Sequence, residues 1–160
     1  MLIRRFILAS TIAASLALAT AGCNMMSPVA SQDYYAPSDG SQADLGRLKV
    51  RNLIYFVNKD GGYGFFGAFA NSGPDEIAFA IQYTDSDGKT NYREFSVAGY
   101  QVKNFGYQGT QPLKIQLPGN LGDMTSVLVY TETDQIDINL PVLDGTLPEY
   151  ADLVAKLGTN

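Results

Sequence analysis

The sequence predicts an all-β protein: an antiparallel β-sandwich of seven or eight strands followed by a short C-terminal helix. Apolar residues recur at every second position in several short segments, as in strands with one buried face. Turn signals separate these segments every ~8–12 residues, a spacing typical of sandwiches. Only the last dozen residues have apolar side chains at helical spacing. The 160 residues are 46% apolar and 17% charged, which fits one globular domain.

The first 22 residues have the pattern of a secretory signal peptide. Two arginines at residues 4–5 precede an apolar run at residues 6–19, and small residues occupy positions 20–22. The apolar run is shorter than the ~20 residues that a transmembrane helix needs. We therefore predict a signal peptide at residues 1–22 and a mature chain that begins at residue 23.

The cleavage region resembles the lipobox of bacterial lipoproteins, in which small residues precede an invariant cysteine. Ala21 and Gly22 match that pattern, and Thr20 stands where the family usually has leucine. The resemblance implies that Cys23 carries a diacylglyceryl anchor with acyl chains such as palmitate. Two acyl chains anchor a protein stably. We therefore expect a lipoprotein on the extracytoplasmic face of a cell membrane, with the type of bacterial envelope left open.

The composition excludes several kinds of site. The chain has no histidine and a single cysteine, so neither Ser-His-Asp nor Cys-His catalysis is available, nor an intramolecular disulfide. A histidine or multi-cysteine zinc site is excluded as well. Loss of two arginines with the signal peptide changes the formal net charge from −5 to −7, which disfavours nucleic acid as a partner. We expect no cofactor, no metal and no enzymatic activity.

Residues 23–44 are predicted to form a lipidated flexible tether, because they are rich in Ser, Ala, Asp and Pro and show little periodicity. The sandwich domain is predicted at residues 45–146. Its turns are expected at residues 58–62, 71–75 and 85–88, the first and last of which contain Asp-Gly. The predicted strands lie at 48–57, 65–70, 77–83, 92–97, 100–107 (with broken alternation), 113–117, 127–130 and 136–140.

The predicted core consists of the side chains that alternation places on the inner faces of these strands. Its members are Val50, Ile54, Phe56, Phe66, Ile77, Phe79, Ile81, Phe95, Val97, Ile115, Leu117, Leu128 and Ile138.

Residues 147–160 are predicted to be a short helix and tail. Pro148 suits the first turn of a helix, and Gly158 can end it. We expect the apolar face to pack on the sandwich, while packing on a partner stays open. That face consists of Tyr150, Leu153, Val154 and Leu157.

Three short motifs match patterns that carry chemistry in other contexts. Gly62–Gly67 has the glycine spacing of a dinucleotide-binding loop, but extended aromatic residues follow it rather than a helix. Ser86–Lys89 has the serine–lysine spacing of penicillin-binding enzymes, but it contains a hairpin turn. Asp85 and Asp87 are explained by turn chemistry, with a weak calcium site left open.

Carboxylates offer the only general acid–base chemistry in the chain. Glycoside hydrolysis needs two of them, together with a cleft that a small sandwich rarely provides. Exposed strand ends are therefore the favoured interpretation, and a small carboxylate-based hydrolase stays an alternative. The candidate groups are the pairs Asp75/Glu76, Glu132/Asp134 and Asp137/Asp144.

Aromatic residues offer a candidate contact surface. Ten tyrosines are many for this length, and tyrosine suits both half-buried sheet faces and interfaces. Tyr100, Phe105 and Tyr107 lie in an irregular, glycine-rich stretch and form the candidate contact patch. A cross-strand aromatic cluster is the alternative interpretation.

Short segments of the domain resemble small actinobacterial lipoproteins of the LpqE type. That group is distantly similar to periplasmic copper chaperones, whose Ig-like or cupredoxin-like sandwich binds Cu(I) through histidines and methionines. This sequence has no histidine, and its domain has only Met124, so the resemblance implies the fold without the copper site. The resembling segments are residues 50–53, 67–71, 140–145 and 150–153.

These observations favour a lipid-anchored cell-envelope lipoprotein that acts as a non-enzymatic binding or accessory module, with an envelope protein as its partner. A degenerate metal-chaperone-like protein serving envelope assembly and a small carboxylate-based hydrolase are the alternatives.

Overall fold

The computed structural model describes residues 37–158, which form a β-sandwich of eight strands with a short C-terminal helix, as predicted. No helix in this range is long and apolar enough to cross a membrane. The predictions for Thr20, Ala21, Gly22 and Cys23 concern residues outside it. The strands are β1 (Ser41–Leu45), β2 (Leu48–Val57), β3 (Tyr63–Asn71), β4 (Ile77–Thr84), β5 (Thr90–Val97), β6 (Val102–Phe105), β7 (Met124–Thr131) and β8 (Gln135–Leu143), and helix α1 (Pro148–Val154) runs into a 3₁₀ turn at Ala155–Leu157.

The strands form one curled sheet in the order β5-β4-β7-β8-β2-β3-β6, with β1 also paired to β2. Every pairing is antiparallel except that of β2 with β8, which is parallel at Tyr55↔Val142 and Phe56↔Leu143. This junction joins two halves, one made of β1, β2, β3 and β6 and the other of β4, β5, β7 and β8. The halves face each other across the main core.

The main core is rich in aromatic contacts between the two halves. Phe69 of β3 stacks on Phe79 of β4, with ring centroids 4.6 Å apart and planes at 16°. At the open side, Phe95 of β5 meets the edge of Phe105 of β6 at 4.9 Å. Burial of each such side chain contributes ~1.5–3 kcal/mol. The two sheet halves are therefore held together mainly by apolar packing.

A β-bulge at Asn52 divides strand β2 into two parts. Asn52 has a left-handed φ of 52°, and the register with β3 shifts between Arg51 and Ile54. Val50 faces the main core before the bulge, and Leu53 faces it afterwards. Because the extra residue changes the alternation, Ile54 and the residues in phase with it face the opposite side of the sheet.

Helix α1 covers this opposite side and forms a second core. Phe56 and Phe66 meet edge to face there, with centroids 4.9 Å apart. Val154 and Leu157 close the cluster from the helix side, with Tyr150 half-buried beside them. The predicted packing of the helix on its own domain is confirmed.

Several predicted boundaries differ from the structure, and strands β3, β5 and β7 are each a few residues longer than predicted. Residues 41–44, expected in the tether, belong to β1, whose polar sequence gives no apolar repeat but pairs with β2. Residues 113–117 are not a strand: Ile115 and Leu117 are buried as predicted, but the backbone makes only one bridge, Phe65↔Leu113. Strand β8 continues past residue 140 to Leu143.

Most of the predicted core residues are buried. The prediction was wrong about which residues of β7 face inward, and several other members lie at the rim or in the second core. In β7 the odd-numbered Val127 and Val129 face the core, whereas Leu128 is only half-buried on the other face. A continuous apolar run does not reveal which alternate set points inward. Ile77 and Phe95 are half-buried at the rim, and three predicted members, Ile54, Phe56 and Phe66, belong to the second core.

Candidate functional site

The three aromatic residues of the predicted contact patch do not form one exposed surface. Phe105 is 7% exposed and lies in the main core. Tyr107 is half-buried against the second core, on the opposite side of the sheet. The turn at Gly106, with a φ of 76°, separates them, and a Cβ there would lie 2.0 Å from the Phe66 ring. Of the three, only Tyr100 is exposed, and its role as a contact residue stays a prediction.

Tyr107 has a structural role at the bulge. Its hydroxyl donates a hydrogen bond to the Asn52 carbonyl at 3.1 Å and accepts one from Asn52 Nδ2 at 2.9 Å. Its ring packs on Phe66 with centroids 5.7 Å apart. Burial raises the pKa of the Tyr107 hydroxyl above its usual value, so the hydroxyl stays protonated as a donor. Tyr107 thus stabilises the bulge, which allows β2 to contribute side chains to both cores.

Tyr100 is an exposed aromatic residue on an unusual backbone. Its side chain is 70% exposed, and its φ of 55° lies in the left-handed region. Val102, two residues later at the start of β6, is 55% exposed. We call these two residues the Tyr100 corner. These two exposed side chains are the candidate contact surface that remains from this stretch.

Asn71 holds the backbone on which Tyr100 is presented. This side chain is 3% exposed, and its Nδ2 donates to the carbonyls of Asp75 at 2.6 Å and Val97 at 3.1 Å. Its Oδ1 accepts a hydrogen bond from the Gly73 amide, while the Gly73 carbonyl accepts one from the Tyr100 amide. The loop at residues 71–75 is thereby tied to the loop at 97–101. An Asn-Ser-Gly-Pro sequence predicts a loop, but it does not reveal that the Asn71 side chain is buried and joins two loops.

The outer face of the first sheet half extends from the Tyr100 corner toward basic side chains. The register places Val102 beside Ala70, and Ala70 beside Lys49. Asp44 binds Lys49 at 3.0 Å and Arg51 at 2.6 Å. Hydrogen bonds from Arg51, and then from Lys49, lower the pKa of Asp44. This face therefore combines exposed apolar side chains, the small Ala70 and ion-paired charges.

Two of the three predicted carboxylate pairs lie around one depression. Glu76, Glu132 and Asp134 line an open space of about 190 Å³ together with Arg47. Asp75 binds Arg47 at 3.2 Å, and its side chain is 80% exposed. The third pair is not brought together in this way: Asp137 and Asp144 line two different depressions.

The carboxyl groups with displaced pKa values are displaced downward. Besides Asp44, the pKa of Asp144 is lowered by hydrogen bonds from Thr146, and that of Asp85 by the Lys89 amide. A general acid working near neutral pH needs a raised carboxyl pKa instead. These three carboxylates are therefore suited to structural hydrogen bonds rather than to acid catalysis.

The hairpin between β4 and β5 uses Asp85 for turn chemistry. Oδ1 of Asp85 accepts hydrogen bonds from the amides of Asp87 at 3.1 Å and Lys89 at 2.9 Å, and Oδ2 accepts one from Asn91 at 2.8 Å. Ser86 and Lys89 lie in this turn and not on a helix. The glycines of the Gly62–Gly67 motif lead into and lie within strand β3, without a following helix.

Residues 37–158 contain no group of three or more acidic, cysteine or histidine side chains placed to hold a metal ion. Met124, the methionine of this range, is 59% exposed at the start of β7. Copper(I) prefers several soft ligands together. A single exposed thioether does not provide them.

No protein-family model and no curated protein matches the sequence. Two solved structures are similar in fold, the copper-bound PCuAC domain from PmoF2 and the apo PmoF2 PCuAC domain. The first has a TM-score of 0.47 and 9% identity, and covers 65% of this chain and 98% of its own. The second has a TM-score of 0.49 and 10% identity, and covers 67% and 98%. At this identity the likeness does not extend to ligands or site residues.

Proposed function

We propose that the chain is a lipid-anchored lipoprotein of the bacterial cell envelope whose domain binds another envelope protein and catalyses no reaction. The proposed anchor is the diacylglyceryl group on Cys23, on the extracytoplasmic face of the membrane. The proposed contact surface is the Tyr100 corner. The observation that supports it most directly is an exposed tyrosine on a strained backbone that its neighbours hold in place.

Tyr100 gains little from its position in the isolated domain. Its ring is mostly in water, and a left-handed backbone costs a non-glycine residue ~1–2 kcal/mol. Strained backbone of this kind clusters at active sites, ligand clamps and switch regions. Because Asn71 already fixes the loop, a partner that contacts Tyr100 loses little entropy in ordering it.

The anchor is tested by Cys23→Ala in cells that express the full chain. Without an acceptor for the lipid, we expect the variant to leave the membrane fraction while the unmodified sequence stays in it. Cys23→Ser is the closer control for side-chain size and should behave like Cys23→Ala. Retention of both variants in the membrane fraction would contradict lipid anchoring through this residue.

The contact surface is tested by photocrosslinking in intact cells. A benzophenone side chain replaces Tyr100 in one variant and Leu121 in another. Leu121 is the control, because it is 56% exposed and lies in the turn before β7 rather than at the Tyr100 corner. We expect a discrete crosslinked protein from position 100 and none from position 121. Equal crosslinking from both positions, or none from position 100, would rule out the proposed surface.

A further inference from the structure

The outer face of the second sheet half carries an open channel over strand β4. Phe79 and Ile81 point into the main core, so Ala78 and Ala80 lie on the outer face. The register places Ala80 between Glu94 of β5 and Tyr130 of β7. Ala78 is exposed and Ala80 is 4% exposed, and a space of about 420 Å³ lies above them. Phe79, Phe95 and Thr131 also line this space. We call this the Ala78–Ala80 channel.

The walls of the Ala78–Ala80 channel combine an aromatic ring with two carboxylates. Glu94 contributes from one side, and Tyr130 and Glu132 contribute from the other. No basic side chain lines it. Within residues 37–158 the ion pairs involve Asp44 and Asp75 only, so neither glutamate has a basic partner there. The floor and the ring supply apolar contact, while the charge is negative on both walls.

These features together fit an organic cation on an aliphatic stem. The stem packs on the exposed Ala78 and the Tyr130 ring, and the cation faces Glu94 and Glu132. A guanidinium suits the site better than an ammonium, because it stacks on an aromatic ring and pairs with carboxylates through a planar fork. Small-molecule sites bury most of their ligand, whereas this space is open to solvent. It therefore suits a side chain carried by a larger surface.

We propose that the Ala78–Ala80 channel binds an arginine side chain of a protein partner. This site lies on a different sheet half from the Tyr100 corner, and its test is independent of that surface. The full chain has a formal net charge of −5, and the mature chain of the proposed function has −7. A negative charge attracts basic partners over a distance, and the channel is the place where we propose that they dock.

The test is an NMR titration of the ¹⁵N-labelled Cys23→Ala chain with acetyl-Gly-Arg-Gly-amide. The control peptide carries citrulline, which keeps the stem and replaces the guanidinium by a neutral urea. We expect saturable shifts of the Ala78, Ala80 and Thr131 amides, with a dissociation constant on the order of 1 mM. The citrulline peptide should bind at least roughly tenfold more weakly, and the lysine peptide severalfold more weakly.

Substitutions then locate the binding. Glu94→Gln and Glu132→Gln should each weaken it roughly threefold or more, and Ala78→Leu should abolish it by filling the channel. Asp137→Asn removes a charge that is also exposed but does not line the channel, and it should change binding less than about twofold.

Three results would overturn the proposal. The first is equal binding of the arginine and citrulline peptides. The second is shifts spread over the acidic surface with equal loss on Asp137→Asn, which would mean diffuse electrostatic attraction. The third is tighter binding of free arginine than of the peptide, which would make the site one for an amino acid. Each is independent of the outcome of crosslinking at Tyr100.

Discussion

At the residue scale, Asn52 determines which face of β2 is buried. Its left-handed backbone inserts one residue into the strand, and its side chain contacts two other segments: Nδ2 donates to Tyr107, and Oδ1 accepts from the Gly40 amide at 3.1 Å. A Cβ on Gly40 would lie 2.4 Å from that oxygen, so only glycine permits the close approach. One asparagine thus allows a single strand to serve two cores.

Tyr107→Phe measures how much the hydrogen bonds between Tyr107 and Asn52 stabilise the fold. The change removes one hydroxyl that both donates to and accepts from Asn52, and leaves the ring on Phe66. We expect the free energy of unfolding to fall by ~1–2 kcal/mol, because a part-buried amide loses its partner. Urea denaturation measures it. The control is Tyr92→Phe, at an exposed tyrosine, which should leave the free energy of unfolding unchanged. An equally small effect of Tyr107→Phe would contradict a stabilising role for the hydrogen bonds between Tyr107 and Asn52.

Tyr100 provides a second residue-scale prediction. Tyr100→Gly should be more stable than Tyr100→Ala by ~0.5–1 kcal/mol, because glycine adopts a φ of 55° without strain. Both variants should lose the partner proposed for the Tyr100 corner. The comparison is made by urea denaturation of the two variants side by side. An alanine variant at least as stable as the glycine variant would show that the backbone at this position is not strained.

The glycines of the Gly62–Gly67 motif provide space rather than a ligand site. A Cβ on Gly67 would lie 2.2 Å from Leu53 Cδ2, and one on Gly64 would lie 2.7 Å from Leu157 Cδ2. These positions allow β3 to approach β2 on one side and the C-terminal segment on the other. A spacing that suggests phosphate binding is explained here by packing.

At the element scale, the C-terminal segment covers the face that the bulge exposes. Leu157→Ala removes a side chain that is 2% exposed and should lower the free energy of unfolding by ~2–4 kcal/mol. Leu147→Ala, at a position 48% exposed just before the helix, is the matched control and should change it by less than ~0.5 kcal/mol. Chemical denaturation compares them. Similar losses from both variants would mean that the segment does not seal a core.

The sequence predicted those elements whose side chains alternate between core and solvent. Strand β4 and the Asp85–Gly88 turn follow directly from local pattern and turn chemistry. Strand β1 could not be predicted, because its pairing depends on β2 rather than on apolar residues of its own. The segment at 113–117 alternates in burial, yet a Tyr55 hydroxyl rather than a strand accepts the hydrogen bond of the Leu117 amide. Alternation of apolar residues thus predicts which side chains are buried better than it predicts hydrogen-bonded pairing between strands.

The candidate surfaces were less accessible to sequence reasoning. Tyr100 and Phe105 are both aromatic and lie five residues apart, but Tyr100 lies in an exposed turn, whereas Phe105 ends β6 and faces the main core. The Ala78–Ala80 channel depends on register, which places Glu94 and Tyr130 on either side of one alanine. Register between strands distant in sequence is not encoded in any single segment.

At the scale of the whole molecule, stability should be almost independent of pH between about 5 and 9, because the chain has no histidine. Below this range, protonation of Asp44 and Asp85 lowers the stability of the fold. Their pKa values are lowered in the folded protein, so their stabilisation is present above the unfolded value of 3.8 and is lost as the pH falls through the folded values.

Above this range, buried tyrosines have the opposite effect. Burial raises the pKa of Tyr55 and Tyr150 to about 12, so the fold favours their neutral forms. That stabilisation is complete below the unfolded value of 10 and is lost as the pH rises from 10 toward 12. Urea midpoints measured from pH 3 to 11 check both limits. A step in the midpoint near pH 6–7 would contradict this account.

The parallel junction between β2 and β8 has a consequence for folding kinetics. Strands β1, β2 and β3 follow one another as antiparallel neighbours within residues 41–71, so they form by closing short loops. The junction pairs Tyr55 with Val142, which brings together positions far apart in the chain. Closing a loop of that length is entropically unfavourable until many contacts are made at once. We expect the three N-terminal strands to assemble early, and docking of β8 on β2 to set the rate at which the sandwich closes.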